Sequence, residues 1–268
     1  MKQLFFLFLF LCFAGASFGQ KKTRCAIPTV TASNDVTICG GISTTLTVTV
    51  IGGTAPYTYQ WSPAEGLSNP TVSDPVASPT TNTTYTVLVT DNGECTGTDV
   101  VTVTVFTQPT IIITGTTTIC NGQSTTLTAT NGVTYTWAPD GQTTPDITVS
   151  PTTNTTYTVT GTDANGCTNT DAITVTVNPL PTITATSAPA TICNGQSTTL
   201  TASGGTSYLW APGGQTTPDI IVSPTTNTTY TVTGTDANGC ANTDNITVNV
   251  NPLPTITATS APATICNG

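Results

Sequence analysis

The sequence has almost no positive charge. Its 4 Lys and Arg residues all lie at or before Arg24, His is absent, and all 13 Asp and Glu residues lie after that point. Nucleic acid is therefore excluded as a partner, because neutralising phosphates requires Lys or Arg. The same lack disfavours an anionic membrane surface as a partner, and it leaves the chain beyond Arg24 without salt bridges or Lys–Asn cross-links.

The missing side chains also exclude most catalytic chemistry. A nucleophilic triad needs a His or Lys base, and a phosphate-binding Gly loop needs its Lys. A zinc site is disfavoured because His is absent and each Cys is expected to form a disulfide. Paired carboxylates could still act as a glycosidase pair, and the candidates are Asp140, Asp146, Asp163 and Asp171. Asp140 is replaced by Gly213 in a near-identical repeat, and the others lie at turns or strand starts. We predict no catalytic residues and no enzymatic activity.

Long apolar runs are confined to the start of the chain. Lys2 precedes the apolar run Leu4–Phe13, which is too short to span a bilayer. Small residues follow, so we predict a signal peptide at 1–19, with cleavage after Gly19 or, as the alternative, after Ala16. Residues 20–26 then form an N-terminal tail. We expect a secreted product that is attached to the cell surface, and no transmembrane span in this sequence.

Repetition is the dominant feature of the remaining chain. Cys120–Ile192 recurs as Cys193–Ile265, which gives a period of about 73 residues, and a looser copy precedes them. The predicted domains are module 1 at 27–107, module 2 at 108–180, module 3 at 181–253, and the start of module 4 at 254–268. Short Asn-Pro-Leu-Pro linkers at 178–181 and 251–254 join consecutive modules, and their prolines favour a semi-rigid joint. Because a domain cannot close on its first strands, we expect the sequence to be a piece of a longer protein.

Strand signals are dense within each module. Thr, Val and Ile alternate with other residues over short runs, and Gly, Pro and Asn turns separate the runs. In module 2 the pattern predicts strands at 124–130, 133–137, 146–149, 156–160 and 171–177, with Val133, Tyr135 and Trp137 on one inward face. The prediction is an all-β fold of tandem immunoglobulin-like β-sandwiches. The single Trp of each module is predicted to anchor its core: Trp61, Trp137 and Trp210.

Cysteines recur at two positions in each module, one early in the module and one after the Asn-Gly turn near its end. We predict one disulfide within each module: Cys39–Cys95, Cys120–Cys167 and Cys193–Cys240. Each would close a long loop and help to stabilise a small core. The alternative joins neighbouring modules, for example Cys167 with Cys193. Neither scheme gives a partner to Cys25.

Calcium is the one cofactor for which the sequence offers ligands. Asp163, Asn165, Asp236 and Asn238 place carboxylate and amide oxygens close together in two equivalent turns. The alternative interpretation is an ordinary hairpin turn with Asn-Gly at its tip, and we favour it. The prediction is therefore no cofactor, with these four residues as weak calcium candidates.

Several motifs are similar to a known class of repeats. Gly52–Pro63, Ser78–Val87 and Asp91–Cys95 resemble the PKD-like and Ig-like repeats of large surface proteins in gliding, type IX-secreting bacteria, and Thr155–Cys167 resembles the same signature. The aspartate-rich motif of the better-known PKD domains is absent. The resemblance implies β-sandwiches in long arrays and a C-terminal sorting domain beyond this sequence.

We predict a non-catalytic adhesin or structural scaffold that binds an unknown surface ligand, either a glycan or another cell-surface protein. Two alternatives stay open. The modules could be spacers of a secreted polysaccharide hydrolase or protease whose catalytic domain lies beyond residue 268. They could also bind glycans through exposed aromatic side chains, whereas one Trp per module is typical of a core residue.

Overall fold

The computed structural model describes residues 25–259, and all 22 strands and no helices are assigned within that range. The chain divides into two compact units, residues 1–108 and residues 109–268. Within the described range, no helix is long and apolar enough to cross a membrane. The predicted signal peptide and residues 260–268 of the start of module 4 lie outside the described residues.

Module 1 contains eight strands: β1 (Thr29–Ala32), β2 (Val36–Cys39), β3 (Thr44–Thr45), β4 (Val48–Ile51), β5 (Thr58–Ser62), β6 (Val76–Ala77), β7 (Thr83–Thr90) and β8 (Thr96–Phe106). β1 pairs with β4, β3 pairs with β6, and a four-stranded sheet has the order β2-β8-β7-β5. In this sheet β2 runs parallel to β8, and the other pairs are antiparallel.

Module 2 contains seven strands: β9 (Ile112–Gly115), β10 (Thr118–Cys120), β11 (Thr125–Thr130), β12 (Thr134–Ala138), β13 (Asp146–Val149), β14 (Thr155–Thr162) and β15 (Thr168–Asn178). They form a three-stranded sheet, β13-β11-β9, and a four-stranded sheet, β10-β15-β14-β12. β10 runs parallel to β15, and the other pairs are antiparallel.

Module 3 repeats this topology with seven strands: β16 (Thr184–Ala188), β17 (Thr191–Cys193), β18 (Thr198–Ser203), β19 (Ser207–Ala211), β20 (Asp219–Val222), β21 (Thr228–Thr235) and β22 (Ala241–Asn251). The sheets are β16-β18-β20 and β17-β22-β21-β19, with β17 parallel to β22. In modules 2 and 3 the first two strands belong to different sheets, so the chain crosses between the sheets before its first hairpin.

The alternation of the sequence determines which face of each strand is buried. On β14, Tyr157 and Val159 are buried, while Thr156 faces outward and its hydroxyl lies 2.8 Å from that of Thr174 on β15. β-branched residues fit this arrangement because they pack well on a pleated surface and their hydroxyls remain solvated. The predicted all-β immunoglobulin-like sandwich fold is confirmed.

Each module has its own core, and its Trp lies at the centre. Trp61, Trp137 and Trp210 have relative exposures of 2%, 1% and 0%. Each indole Nε1 donates a hydrogen bond to a main-chain oxygen in the loop that follows its strand: Val72, Thr144 and Thr217, at 3.0, 2.9 and 3.1 Å. The Trp therefore fills the core and also fixes the loop that crosses between the two sheets.

The inward position predicted for Val133 is wrong. Its side chain is 67% exposed, and β12 begins one residue later, at Thr134. The turn before it explains the difference. Asn131 has a positive φ of 70°, and the Tyr135 hydroxyl both donates to and accepts from the main chain of Gly132 at 2.9 Å. This turn places Val133 before the regular alternation of the strand begins.

The short parallel strands β2, β10 and β17 were not predicted from the sequence. Each pairs with the last part of its module's final strand, as Thr118–Cys120 does with Thr176–Asn178. Their partners lie far away along the chain, so no hairpin turn marks the pairing. These strands determine where the first cysteine of each module lies.

Candidate functional site: the cysteine-bearing ends of the modules

Each module carries one cysteine at each of two opposite ends. In module 3, the turn between β21 and β22 finishes at Cys240 and lies at the N-terminal end, where the Asn242 Nδ2 donates to the Pro181 carbonyl at 2.9 Å. At the C-terminal end, β22 finishes at Asn251, whose pairing partner on β17 is Cys193. The length of β22 separates the two cysteines.

The C-terminal ends of modules 2 and 3 have the same main-chain geometry. Cys120 pairs with Asn178, and Cys193 pairs with Asn251. After each cysteine, the next N–H donates to the last carbonyl of the final strand, at 2.8 Å in module 2 and 2.9 Å in module 3. In both modules the cysteine carbonyl then accepts from a Gln N–H at 2.9 Å. The two ends are therefore equivalent sites.

At the N-terminal end, an aspartate organises the turn that carries the second cysteine. Asp163 Oδ1 accepts the main-chain N–H groups of Asn165 and Cys167 at 2.9 and 2.8 Å. Asp236 does the same for Asn238 and Cys240, at 2.8 and 2.9 Å. These bonds hold the turn closed, which is the usual role of Asp in such a turn.

The equivalent aspartate of module 1 is more strongly held. Asp91 is 5% exposed, and its carboxylate accepts N–H groups from Cys95, Thr54 and Gly93, each at 2.8 Å. The hydrogen bond from Cys95, together with those from Thr54 and Gly93, outweighs the effect of burial and lowers the pKa of Asp91 below its ordinary 3.8. The ionised carboxylate is therefore part of the folded N-terminal end of module 1.

Two disulfides each connect a turn cysteine to a cysteine that precedes its module. Cys240 of module 3 bonds Cys120 of module 2, with a Cα–Cα distance of 5.5 Å. Cys95 of module 1 bonds Cys25 of the N-terminal tail, with a Cα–Cα distance of 5.8 Å. The second bond gives Cys25 the partner that the sequence interpretation lacked.

The three predicted pairings within modules are wrong: Cys39–Cys95, Cys120–Cys167 and Cys193–Cys240. Cys95 and Cys240 bond other residues, Cys120 bonds Cys240, and Cys193 is a free, exposed thiol. Cys39 and Cys167 are also disulfide-bonded.

Strand length explains why a pairing within one module fails. In module 2, Cys167 immediately precedes β15, whereas Cys120 lies opposite its last residue, Asn178. Eleven strand steps therefore separate the two cysteines, or about 36 Å at about 3.3 Å per residue. A disulfide requires Cα atoms within about 7 Å of each other. Modules 1 and 3 have the same geometry, because β8 and β22 have the same length as β15.

The alternative prediction of a disulfide between neighbouring modules is correct, but the example given for it, Cys167–Cys193, has the wrong partners. It joined the turn cysteine of one module, Cys167, to the early cysteine of the next, Cys193. The observed bond runs the other way, from the early cysteine of module 2 to the turn cysteine of module 3. This direction follows from the fold, because the early cysteine lies at the C-terminal end and therefore next to the following module.

The calcium candidates lie in the two turns of the N-terminal ends. Asp163 and Asp236 each direct Oδ1 to two main-chain N–H groups, and their Oδ2 atoms lie 3.5 and 3.4 Å from the Nδ2 atoms of Asn165 and Asn238. Within residues 25–259 no group of three or more His, Cys, Asp or Glu side chains could hold a metal ion. The turns are thus closed by their own hydrogen bonds, and the prediction of no cofactor, with these residues as weak calcium candidates, stays a prediction.

A second set of aspartates has a structural role that the sequence interpretation missed. Asp171, one of the carboxylates considered for catalysis, accepts the N–H of Ile113 at 2.9 Å through Oδ2. Asp99 and Asp244 accept the N–H groups of Ala32 and Ala185 at 2.7 and 2.8 Å. Each aspartate on a final strand thus fixes the first strand of the other sheet. The sequence signal that could have revealed this role is the recurrence of an Asp at the same position of every module.

No protein-family model matches the chain, and no curated protein matches it in sequence. Solved structures do match. The first eight Ig domains of Down Syndrome Cell Adhesion Molecule match at 14% identity and a TM-score of 0.50, over 85% of this chain and 37% of that one. Mouse cadherin-23 repeats EC22-24 match at 15% identity and a TM-score of 0.34, over 85% of this chain and 100% of that one.

A calcium-stabilised adhesin with which an Antarctic bacterium binds ice matches at 20% identity and a TM-score of 0.35, over 87% of this chain and 75% of that one. The chain spans little more than a third of the eight-domain structure that it matches at a TM-score of 0.50. At this level of identity, that match shows that the two proteins share the immunoglobulin-like fold.

Proposed function

We propose that this chain is a non-catalytic extracellular tether, an array of cross-linked sandwiches that serves as an adhesin or a structural scaffold. The disulfide between Cys120 and Cys240 carries the proposal, because it joins consecutive modules covalently at a second point besides the main chain. Disulfides of this kind form and persist outside the reducing cytosol, which supports secretion. The solved structure that matches at a TM-score of 0.50 comes from a cell adhesion molecule, which supports an adhesion role.

The covalent path along the chain is much shorter than the chain itself. From Cys25 the path crosses the disulfide to Cys95, follows the main chain to Cys120, and crosses the second disulfide to Cys240. Without disulfides, the same two ends are separated by the whole main chain from Cys25 to Cys240. Fully extended, these paths measure about 100 Å and about 750 Å, at about 3.5 Å per residue and with both disulfide crossings included.

A tether gains from this arrangement because pulling on its ends cannot draw out the strands that lie inside the two loops closed by the disulfides. Most of the described strands lie inside these loops, so unfolding can lengthen the path only through the chain between Cys95 and Cys120, which includes β8. The uncharged, Thr-rich outer faces, such as the Thr156–Thr174 and Thr229–Thr247 hydroxyl pairs at 2.8 Å, add solubility without charge. We assign surface attachment and export of the type IX kind to the same proposal, on the sequence resemblance alone.

Single-molecule force spectroscopy on the full chain, held by its two ends, tests the tether. The oxidised chain should lengthen by no more than about 100 Å between Cys25 and Cys240, and reduction should release about 650 Å more. The Cys193→Ser chain is the matched control, because its lost thiol is unpaired here, and it should extend like the original. An oxidised chain that lengthens by several hundred ångströms in this region contradicts the proposal.

Adhesion itself needs a separate measurement. Beads coated with the oxidised chain should be retained under flow on surfaces that carry bacterial cells or polysaccharides. Beads coated with the reduced and alkylated chain should be released. If oxidised beads are retained no better than uncoated beads on any of these surfaces, the adhesin function is refuted and the scaffold function is left.

The glycan-binding alternative loses its main support, since it required exposed aromatic rings and the three Trp side chains are buried. The spacer alternative would place a catalytic domain after residue 268. Sequencing the coding region beyond residue 268 tests this alternative, because a catalytic domain there would contain His, Lys and Arg.

A further inference from the structure

The C-terminal end of module 3 carries a thiol where module 2 carries a disulfide. Cys193 is free and exposed, whereas Cys120, one full period earlier in the sequence, bonds Cys240 of the next module. The main-chain hydrogen bonds around the two cysteines are the same. The difference therefore lies in the chain after each module, and not in the cysteine site.

The sequence after module 3 repeats the same joint. Residues 251–268 repeat residues 178–195 without a change, including the linker Asn-Pro-Leu-Pro and the first strand region of module 3. In the joint between modules 2 and 3, the linker leaves Asn178 beside Cys120 and enters module 3 beside Asn242 and the Cys240 turn. An identical linker begins at Asn251, beside Cys193. It should therefore place the cysteine-bearing turn of the following module next to Cys193.

We propose that Cys193 is a cross-linking site for the Asp-Ala-Asn-Gly-Cys turn of a module that begins at Pro254. Two disulfides in the structure have this arrangement, because Cys95 and Cys240 each bond a cysteine that lies before their own module. Cys193 likewise lies before the module that begins at Pro254. The array is then cross-linked by a disulfide at every such joint, whether or not it binds a ligand.

The bond forms by thiol–disulfide exchange with a small-molecule disulfide such as oxidised glutathione. The Cys193 thiolate attacks one glutathione sulfur, forms a mixed disulfide and releases the first glutathione thiolate. The thiolate of the incoming turn then attacks the Cys193 sulfur and displaces the second glutathione. The two protein thiols lose two electrons to the glutathione disulfide, and their two protons go to the two glutathione thiols.

The test extends the full chain with a copy of residues 196–253 placed after Gly268, which completes the module that begins at Pro254. The copy of Ala241 is made Val, so that the added turn yields an octapeptide with its own mass. The chain is refolded with reduced and oxidised glutathione, alkylated, and digested with a protease that cleaves before Asp. Cys193 then lies in peptide 171–218, apart from every other cysteine.

We expect peptide 171–218 to be joined to the tagged octapeptide, and Cys193 to be protected from alkylation. In the original chain, Cys193 should be alkylated. The extended chain with Cys193→Ser should keep the Cys120–Cys240 bond and show an alkylated tagged turn. The Cys120–Cys240 bond thus reports in each digest that the chain has folded.

With the Cys120–Cys240 bond present, three results would overturn the proposal. The first is an alkylated Cys193 in the extended chain. The second is a tagged octapeptide joined to Cys266, which would be pairing within one module. The third is a covalent dimer in which Cys193 bonds a second copy of the chain.

Discussion

Removing the disulfide between modules 2 and 3 should destabilise module 3 by an amount that follows from where its chain is anchored. With module 2 folded, unfolded module 3 is held at Asn178, the last residue of β15, and at Cys240. Both anchors lie together, because Asn178 is the strand partner of Cys120. The relevant closed loop therefore runs only from Asn178 to Cys240, which is about half of the sequence separation of 120 between the bonded cysteines.

In the chain-entropy model, closing a loop of this length disfavours the unfolded state by about 4 kcal/mol at 25 °C. The double substitution Cys120→Ser and Cys240→Ser should lower the free energy of unfolding of module 3 by about this amount. Each 1.4 kcal/mol is a factor of about ten in the equilibrium constant. The population of unfolded module 3 should therefore rise about a thousand-fold.

Native-state hydrogen exchange, followed by mass spectrometry, measures this population module by module. Amides of β21 that exchange only through unfolding of module 3 should exchange about a thousand-fold faster in the double variant. β7 of module 1, which the Cys25–Cys95 bond still constrains, is the internal reference and should not change. Cys193→Ser is the matched control and should leave β21 unchanged.

Two results would refute this reasoning. Unchanged exchange of β21 in the double variant would mean that the Cys120–Cys240 bond does not restrict the unfolded chain. Faster exchange of β21 in the Cys193→Ser chain would mean that Cys193 is bonded within module 3, as the sequence pattern had predicted.

Three further predictions concern the disulfide map, a carboxylate and a glycine. Cleavage before Asp under non-reducing conditions should join peptide 99–139 to peptide 236–243 and not to 163–170, whose mass differs because Thr168 replaces Ala241. Module 1 should lose stability as the pH falls below 3.8, the ordinary pKa of an Asp carboxyl, and through the lower pKa of Asp91 in the folded state, because the unfolded state takes up the proton first. Urea unfolding measures this loss, and the Asp91→Asn chain should lose less stability across the same pH range. Gly161→Ala should cost about 1–3 kcal/mol in chemical unfolding, because a Cβ there overlaps the Ile111 side chain, whereas the outward Thr160→Ala on the same strand should change stability by less than about 0.5 kcal/mol.

Much of the fold was predictable because the determining information is local. The alternation of Thr with Val, Ile and Tyr gives the strands and their buried faces, and the Gly, Pro and Asn turns separate them. Trp137 could be placed in the core from its strand and its neighbours alone. Val133 was misplaced because the Tyr135 hydroxyl bonds the Asn-Gly turn, an interaction that alternation does not encode.

The candidate site was less predictable, because its partners are set by the ends of strands. Cys120 and Cys167 look like a pair in the sequence of module 2. They lie about 36 Å apart because β10 runs parallel to β15 and meets its far end. The calcium candidates were recognised as turn residues, but the use of Asp163 as the acceptor for the N–H groups of Asn165 and Cys167 became visible only with the turn closed.

The sequence by itself determined the fold class, the repeat period and the chemistry that the chain lacks, because composition, alternation and repetition can all be read along the chain without knowing which distant residues meet. The tertiary structure decided which cysteines meet. A long final strand carries the two cysteines of one module to opposite ends, where each faces the chain outside its own module. Pairing within a module is therefore impossible, and the disulfides of Cys95 and Cys240 join modules 1 and 3 to the chain that precedes each of them.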